Sequence, residues 1–289
     1  MPLIYAFGGG SGHLTRARAL IHTLGLDEAT PILCAQRQAQ EGRSGEGLGL
    51  ERAPPGLERD LEAFRSWLRE VLARRQTKTV FVDTFPCGIL GELADFPWPG
   101  GVELVLVGRI LRSEAYASLP GTAPPYSKTL LIEDVAPEQF QFLSELSGSV
   151  ERLELIDPPA PLDPAADEAI AFLRSSPGPV WLVVHSGPED ETAELLGYAR
   201  ATAEIEGISP RFLVVTDNPL ADPGSDTTQL SLSPARVLFP FADGIVTACG
   251  SNSMRQSREW AGKRLCLPFE RRLDDQFLRR RLGTWTRSR

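Results

Sequence analysis

Leu3-Ile4-Tyr5-Ala6-Phe7 is an uninterrupted apolar run that leads into Gly8-Gly9-Gly10-Ser11-Gly12-His13 and then into a helix-length segment ending at Leu24. This order predicts a buried strand, a glycine turn and a helix. Glycines let the backbone approach a ligand, and a helix N-terminus offers N–H groups and partial positive charge to an anion. We therefore expect Gly10, Ser11 and Gly12 to bind phosphate. The alternative is a tight turn without a ligand.

The glycine turn does not match the common nucleotide fingerprints. Counted from Gly8 and Gly10, the third glycine of G-x-G-x-x-G would fall at His13, and no G-K-[ST] follows. The spacing therefore disfavours an NAD site and a P-loop.

Strand-like runs alternate with helix-length segments along the whole chain, which predicts the α/β class with parallel sheets covered by helices. A helix is expected at Leu57–Arg75, and a long loop is expected at Gln36–Gly56. Further strands of the first half are predicted at Ile32–Ala35, Thr79–Asp83, Val102–Val107, Leu130–Ile132 and Leu153–Ile156.

A proline-rich stretch divides this alternation. The stretch from Asp157 to Pro164 contains four prolines, which disfavour both helix and sheet. We expect an N-terminal domain at 1–157, a linker at 158–163 and a C-terminal domain at 164–289. Predicted elements of the second half are the strands Val180–His185, Phe212–Thr216, Gly244–Cys249 and Arg264–Leu267 and the helices Ala165–Arg174, Glu189–Glu206, Asn252–Ala261 and Leu273–Leu282.

Composition limits the function classes. The net charge of −8 disfavours a general affinity for nucleic acid, which requires a basic surface. No apolar run reaches the roughly 20 residues that span a bilayer, and the N-terminus lacks a signal-peptide pattern, so a cytoplasmic protein is expected. The end from Arg271 to Arg289 carries seven arginines; a solvated helix is one interpretation, and peripheral contact with an anionic membrane surface is the other.

The four cysteines lie far apart without a C-x-x-C pair, which favours buried thiols over a disulfide or a zinc site. The sequence also lacks an Asp-x-Asp pair and a His-x-x-x-His pair. We therefore expect neither a metal nor another cofactor.

A second glycine turn lies in the C-terminal half, where the predicted strand Gly244–Cys249 runs into Gly250-Ser251-Asn252-Ser253. Gly250 permits a turn, the residues up to Ser253 present backbone donors to a phosphate, and Asn252 is a candidate helix N-cap.

These motifs resemble the glycosyltransferase family that contains the peptidoglycan enzyme adding N-acetylglucosamine to a lipid-linked precursor. The resemblance covers scattered motifs in both halves and implies the GT-B type, in which two doubly wound Rossmann-like domains face each other across a cleft. It also implies that His13 is the general base, a role that the imidazole pKa near 6.5 suits. The alternative is that His13 only closes the helix N-terminus.

Asp83 follows a predicted parallel strand at the edge where ligands of such sheets bind. It is a candidate to orient His13 or to accept the proton itself. The alternative is that Asp83 caps a helix starting near Pro86.

The resemblance also assigns donor contacts. It places the diphosphate on Gly250, Ser251, Asn252 and Ser253 and close to Ser186 and Gly187, and the donor sugar on Asp275 and Gln276. Family members carry a ribose-binding glutamate where this chain has Gln256 or Ser257, depending on the alignment. Gln256 is the candidate that we retain.

The resulting functional hypothesis is metal-independent transfer of a sugar from a nucleotide diphosphate, by resemblance a UDP-sugar, to the hydroxyl of a glycan or lipid-linked acceptor. Two alternatives stay open. One is hydrolysis or epimerisation of a nucleotide sugar on the same fold, and the other is a degenerate member that binds without turnover, for which the missing glutamate is the main support.

Overall fold

A computed structural model of the protein describes residues 1–8, 10, 12–35, 45, 47–112, 121–160 and 163–283. The chain divides into two compact units. The first unit comprises Met1–Pro158 and also Arg271–Asp275. The second comprises Pro159–Glu270 and the helix that begins at Gln276.

The first unit is built on a seven-stranded sheet in the order β3-β2-β1-β4-β5-β6-β7, in which every pairing is parallel. Its helices are α1 (Gly12–Leu24), α2 (Leu61–Arg74) and α3 (Pro137–Leu146). The strands are β1 (Pro2–Tyr5), β2 (Ile32–Cys34), β3 (Leu50–Arg52), β4 (Thr79–Asp83), β5 (Glu103–Gly108), β6 (Lys128–Leu131) and β7 (Val150–Arg152).

Helices cover both faces of this sheet. Alternate residues of β1 point to opposite faces, so that Leu3 packs in one core with Phe64 of α2, and Ile4 packs in the other core with Leu14 of α1. β1 and β4 are neighbours with Tyr5 opposite Val82. The loop after β1 and the end of β4 therefore lie side by side at the carboxyl edge of the sheet.

The second unit repeats the plan with a five-stranded parallel sheet in the order β10-β9-β8-β11-β12. Its helices are α4 (Pro164–Ser175), α5 (Glu189–Glu206), α6 (Ser251–Gln256) and α7 (Gln276–Leu282). The strands are β8 (Val180–Val184), β9 (Arg211–Val215), β10 (Thr227–Leu230), β11 (Gly244–Ala248) and β12 (Arg264–Leu267). Helices α4 and α5 pack in separate cores on the two faces, which makes this unit doubly wound as well.

The predicted α/β class with doubly wound parallel sheets is confirmed, whereas several local predictions were wrong. β3 lies inside the segment predicted as a loop, Gln36–Gly56, of which residues 36–44 and 46 lie outside the described residues. β7 precedes the predicted strand Leu153–Ile156, because the residues that pair with β6 are Val150–Arg152. Helix α3 was not anticipated.

The segment after β4 also differs from the prediction. No helix starts near Pro86, because the residues from Thr84 to Asp95 form turns and bends. Asp83 therefore does not cap a helix there.

All four cysteines are free, with Cys266 partly exposed and the others buried. Within the part of the chain that the structure describes, no helix is long and apolar enough to cross a membrane. The peripheral membrane contact considered for the basic C-terminal end stays a prediction.

Candidate functional site

A buried histidine–carboxylate pair lies at the carboxyl edge of the first sheet. His13 is the second residue of α1, and its Nδ1 lies 2.6 Å from Oδ2 of Asp83, the last residue of β4. The two residues are only 6% and 2% exposed. Adjacent parallel strands bring them together although 70 positions separate them in the sequence.

Arg16 is the third member of this cluster. It follows His13 by three positions on α1, so both side chains leave the same face of the helix. Its Nε donates to Asp83 Oδ1 at 2.9 Å and its Nη2 donates to Oδ2 at 2.8 Å, so that the guanidinium grips both carboxylate oxygens. The same Nη2 lies 3.1 Å from His13 Nδ1. Sequence reasoning missed Arg16, although its spacing from His13 was a usable signal.

The charges of this cluster shift both titrating groups. Burial acts to raise the pKa of Asp83, but Arg16 and His13 together hold that pKa well below the usual range. Burial is also the largest influence on His13 and lowers its pKa below 6.5; Asp83 opposes this shift, and the positive charges of Arg16 and Arg109 add to it. Asp83 is therefore ionised at neutral pH, and His13 is a neutral imidazole.

Gly8 lies directly against the imidazole of His13. A Cβ at Gly8 would lie 1.8 Å from His13 Nε2, a distance that no side chain can occupy. The first glycine of the turn is therefore required by contact with the histidine. Nearby, a Cβ at Gly10 would meet no atom within 4 Å, and Gly12 begins α1; Ser11 lies outside the described residues.

Thr84 and Arg109 extend the cluster. Thr84 has a φ of 78°, a backbone conformation that is costly for a β-branched residue. In this conformation its Oγ1 lies 3.0 Å from Asp83 Oδ1 and accepts a hydrogen bond from Arg109 Nε at 3.0 Å. Arg109 also donates to Asp274, which belongs to the first unit together with the rest of Arg271–Asp275. Neither Arg109 nor Asp274 was anticipated as part of this cluster.

The predicted phosphate turn of the second unit is a strand-to-helix turn. β11 ends at Ala248, Gly250 occupies the N-cap position, and α6 begins at Ser251. Asn252 was predicted as the N-cap, and this was wrong because the helix begins one residue before it. The φ of Gly250 is −68°, and the nearest atom to an added Cβ is Ser253 Oγ at 3.8 Å. The fold itself therefore tolerates a side chain at Gly250.

Arginine side chains hold both ends of this turn. The guanidinium of Arg279, a buried residue of α7, donates from Nη1 to the carbonyl oxygen of Cys249 at 3.0 Å. Arg264 Nη1 donates to the carbonyl oxygen of Met254 at 3.1 Å. Gln256, the retained candidate for the ribose contact, is the last residue of α6 and is partly exposed. Of the two arginines, Arg279 places positive charge beside the start of the turn.

The other predicted phosphate contact of this unit, Ser186 and Gly187, has the opposite charge environment. The first turn of the adjacent helix α5 carries Glu189, Asp190 and Glu191, so its N-terminal partial charge is already compensated by carboxylates. His185 Nε2 lies 2.8 Å from Glu191 Oε2, and a Cβ at Gly187 would lie 2.3 Å from the same nitrogen. Electrostatics therefore favours the Gly250 turn over this one for an anion.

The two predicted donor-sugar contacts belong to different units. Asp275 belongs to the first unit, whereas Gln276 is the first residue of α7 in the second unit. Gln276 is buried, and its Oε1 accepts a hydrogen bond from the N–H of Phe269 at 3.0 Å. Its side-chain oxygen therefore already has a structural partner.

Among the described residues, no group of three or more histidine, cysteine or acidic side chains is arranged to hold a metal ion.

No protein-family model matches the chain, and neither does any curated protein. Solved structures do resemble it. Spinosyn forosaminyltransferase SpnP aligns over 93% of this chain and 79% of its own, with a TM-score of 0.59 and 14% identity. The glycosyltransferase SnogD from Streptomyces nogalater aligns over 92% and 83%, with a TM-score of 0.52 and 14% identity.

A third similar structure is the UDP-GlcNAc 2-epimerase from Methanocaldococcus jannaschii in complex with UDP-GlcNAc and UDP. It aligns over 93% of this chain and 89% of its own, with a TM-score of 0.53 and 10% identity. This protein has a GT-B-like fold. Identities of this size show the fold alone, and the narrower resemblance to the peptidoglycan N-acetylglucosaminyltransferase family stays a prediction.

Proposed function

We propose that this protein is a glycosyltransferase that moves a sugar from a nucleotide diphosphate donor, a UDP-sugar, to the hydroxyl group of a glycan or lipid-linked acceptor. The observation that carries the proposal is the buried His13–Asp83 pair at the carboxyl edge of a parallel sheet, in a chain with a GT-B-like fold. Ligands of open α/β sheets bind at this edge.

In the proposed reaction His13 Nε2 takes the proton of the acceptor hydroxyl. The acceptor oxygen forms a bond to the anomeric carbon of the donor sugar, the bond from that carbon to the phosphate oxygen breaks, and the nucleoside diphosphate leaves with the electron pair. Because the pKa of His13 lies below 6.5, the ring is unprotonated at neutral pH and able to accept this proton.

Asp83 is the less suitable of the two candidate bases. Arg16 donates to both of its carboxylate oxygens, His13 lies on one of them, and the residue is 2% exposed. A carboxylate with its pKa held far below the usual range is a weak base. We assign it the role of orienting His13.

For the leaving group we propose the main-chain N–H groups of the turn from Gly250 to Ser253, with Ser251 and Asn252. Arg279 beside this turn favours an anion, and stabilisation by backbone donors requires neither a metal nor another cofactor. Gln256 at the end of α6 is the proposed ribose contact, and Asp275 and Gln276 are retained for the donor sugar. The proposed Ser186 and Gly187 contacts have the weaker electrostatic support.

The test is a product assay with UDP-sugars in the absence and presence of saccharide acceptors, followed by liquid chromatography and mass spectrometry. We expect UDP release only when an acceptor is present, together with a glycosylated acceptor. Donor consumption without acceptor would instead identify a hydrolase, and donor binding without turnover would identify a non-catalytic member of the fold.

Epimerisation of a nucleotide sugar is the second candidate. The observation in its favour is that UDP-GlcNAc 2-epimerases align over most of this chain at TM-scores comparable to those of the glycosyltransferases. The same assay distinguishes it, because an isomeric UDP-sugar would then form from UDP-GlcNAc without UDP release.

A further inference from the structure

Arg16 makes a bidentate contact with the carboxylate that lies against His13. Its Nε and Nη2 donate to the two different oxygens of Asp83 at 2.9 and 2.8 Å, and Arg16 is 5% exposed. A two-pronged contact of this kind fixes the orientation of a carboxylate as well as its position, which a lysine ammonium cannot do. Asp83 therefore presents Oδ2 to His13 in a fixed direction.

The same contacts decide which imidazole nitrogen carries the proton. His13 Nδ1 lies 2.6 Å from Asp83 Oδ2. Arg16 Nη2 lies farther from it, at 3.1 Å, and the N–H groups of this nitrogen have Asp83 Oδ2 at 2.8 Å and Thr84 Oγ1 at 3.5 Å as acceptors. If Nδ1 were unprotonated, the 2.6 Å contact would set two lone pairs against each other, because an ionised carboxylate is only an acceptor. A proton on Nδ1 makes this contact a hydrogen bond, and it leaves the lone pair of the neutral ring on Nε2.

We propose that Arg16 is a positioning residue that locks Asp83 in place and thereby fixes the Nδ1–H tautomer of His13, so that Nε2 is the proton acceptor of the site. The catalytic meaning of this inference rests on the proposed function, whereas the tautomer itself is a property of the protein without substrate.

Arg16 has a second, electrostatic effect on the same ring. The charged groups that act on His13 are Asp83, which favours the imidazolium, and Arg16 and Arg109, which disfavour it. Replacing Arg16 by a neutral residue removes a positive charge and leaves the Asp83 carboxylate less compensated. Both changes raise the pKa of His13, so an Arg16→Met variant holds a protonated ring up to higher pH than the wild type.

The test is 15N NMR of protein whose histidine rings are labelled with 15N. The spectrum contains few signals because the chain has only three histidines. The His13 signals are assigned by their loss in a His13→Gln variant. In the wild type we expect Nδ1–H and unprotonated Nε2 at neutral pH. In Arg16→Met the Asp83 carboxylate is no longer held in one orientation, so we expect a mixture of tautomers. The loss of the positive charge should also move the titration midpoint of His13 to higher pH. The matched control is Arg65→Met, since Arg65 donates to the carbonyl oxygen of Ala94 in the same unit; its His13 signals should equal those of the wild type.

A protonated Nε2 in the wild type would overturn the inference without any variant. A folded Arg16→Met protein with unchanged tautomer and unchanged midpoint would also overturn it. If Arg16→Met does not fold, the Arg16→Lys variant is used instead. It keeps the positive charge but loses the bidentate contact with Asp83, so we expect mixed tautomers and a smaller change of the titration midpoint. An unchanged tautomer in this variant contradicts the inference.

Measurements of sugar transfer separate the role of Arg16 from the proposed glycosyltransferase function. If the wild type transfers sugar, the acidic limb of its kcat profile should move to higher pH in Arg16→Met, with an unchanged KM for the donor. If the wild type has the expected tautomer but forms no glycosylated product and releases no UDP, the proposed function fails and the role of Arg16 in fixing the tautomer stands.

Discussion

At the scale of single residues, the position of His13 is set by contacts on two sides. Asp83 holds Nδ1, and the imidazole lies against Gly8, where an added Cβ would come within 1.8 Å of Nε2. The residue is 6% exposed, so the ring is nearly withdrawn from water.

His13→Ala should abolish nearly all sugar transfer while the protein stays folded and still binds the donor. A general base typically contributes 10²–10⁴-fold to the rate, or about 3–5 kcal/mol of barrier. Steady-state kinetics at saturating donor and acceptor, with calorimetric titration of UDP, measures both properties. The control is His22→Ala, because His22 lies exposed on the same helix. Near wild-type transfer by a folded, donor-binding His13→Ala protein would contradict the assignment of the base.

Gly8→Ala should displace the imidazole, since the new methyl group and the ring cannot occupy the same space. Overpacking of this kind costs about 1–3 kcal/mol of stability, and we expect transfer to fall as well because the ring leaves Asp83. Thermal unfolding and the transfer assay check the two effects. In Gly100→Ala no atom lies within 4 Å of the new Cβ, so this control should behave as wild type. Unchanged sugar transfer in Gly8→Ala would show that the reaction does not depend on the observed position of the His13 imidazole.

At the scale of elements, both candidate clusters lie where parallel strands end. Tyr5 of β1 pairs with Val82 of β4, so the loop after β1 meets Asp83 one residue beyond the last pair. In the second unit β11 runs into the Gly250 turn, and its last residue, Ala248, pairs with Leu267, the last residue of β12. Strand ends in such sheets bring together residues that the sequence keeps apart.

Gly250→Val should abolish UDP binding and leave the fold intact. The backbone of Gly250 has a φ of −68°, and the nearest atom to an added Cβ is 3.8 Å away, so the unliganded turn accommodates a side chain. A phosphate held by the main-chain N–H groups would instead collide with the branched side chain. Calorimetric titration with UDP, together with circular dichroism, measures the two properties. The control is Gly197→Val on helix α5, because Gly197 also has open space around it. Equal UDP affinities of the two variants would show that the donor binds elsewhere.

At the scale of the whole molecule, stability should depend on pH through the His13 cluster. The pKa of His13 is lowered in the folded protein, whereas in the unfolded chain it lies near 6.5. As the pH falls below about 6.5 the unfolded state binds the proton more tightly, so the free energy of unfolding decreases. Asp83, whose pKa is lowered as well, adds a decrease of the same sign below about pH 4.

Urea denaturation at pH 7.5 and pH 5 measures the first of these effects. We expect the loss of stability between the two pH values to be smaller in His13→Gln than in the wild type. The control is His22→Gln, which removes an exposed histidine from the same helix. An equal loss in His13→Gln would show that burial of the neutral imidazole does not contribute to the acid sensitivity.

The sequence by itself determined the α/β class, because strand-length apolar runs alternating with amphipathic helices have few other ways to bury their apolar residues. It also predicted strands that end at Asp83 and before the glycine turns at His13 and Gly250, because such turns and strand ends are local features; the roles of these residues stay predictions. It failed for β3 and β7, which have three residues each and are assigned by pairing with a neighbouring strand. Only the tertiary structure decided that Asp83 faces His13 rather than a helix N-terminus, and that Arg16, Arg109 and Asp274 join them. The physical reason is that strand order in a sheet sets these distances, and strand order is fixed by the packing of the whole domain and is not encoded in any one segment.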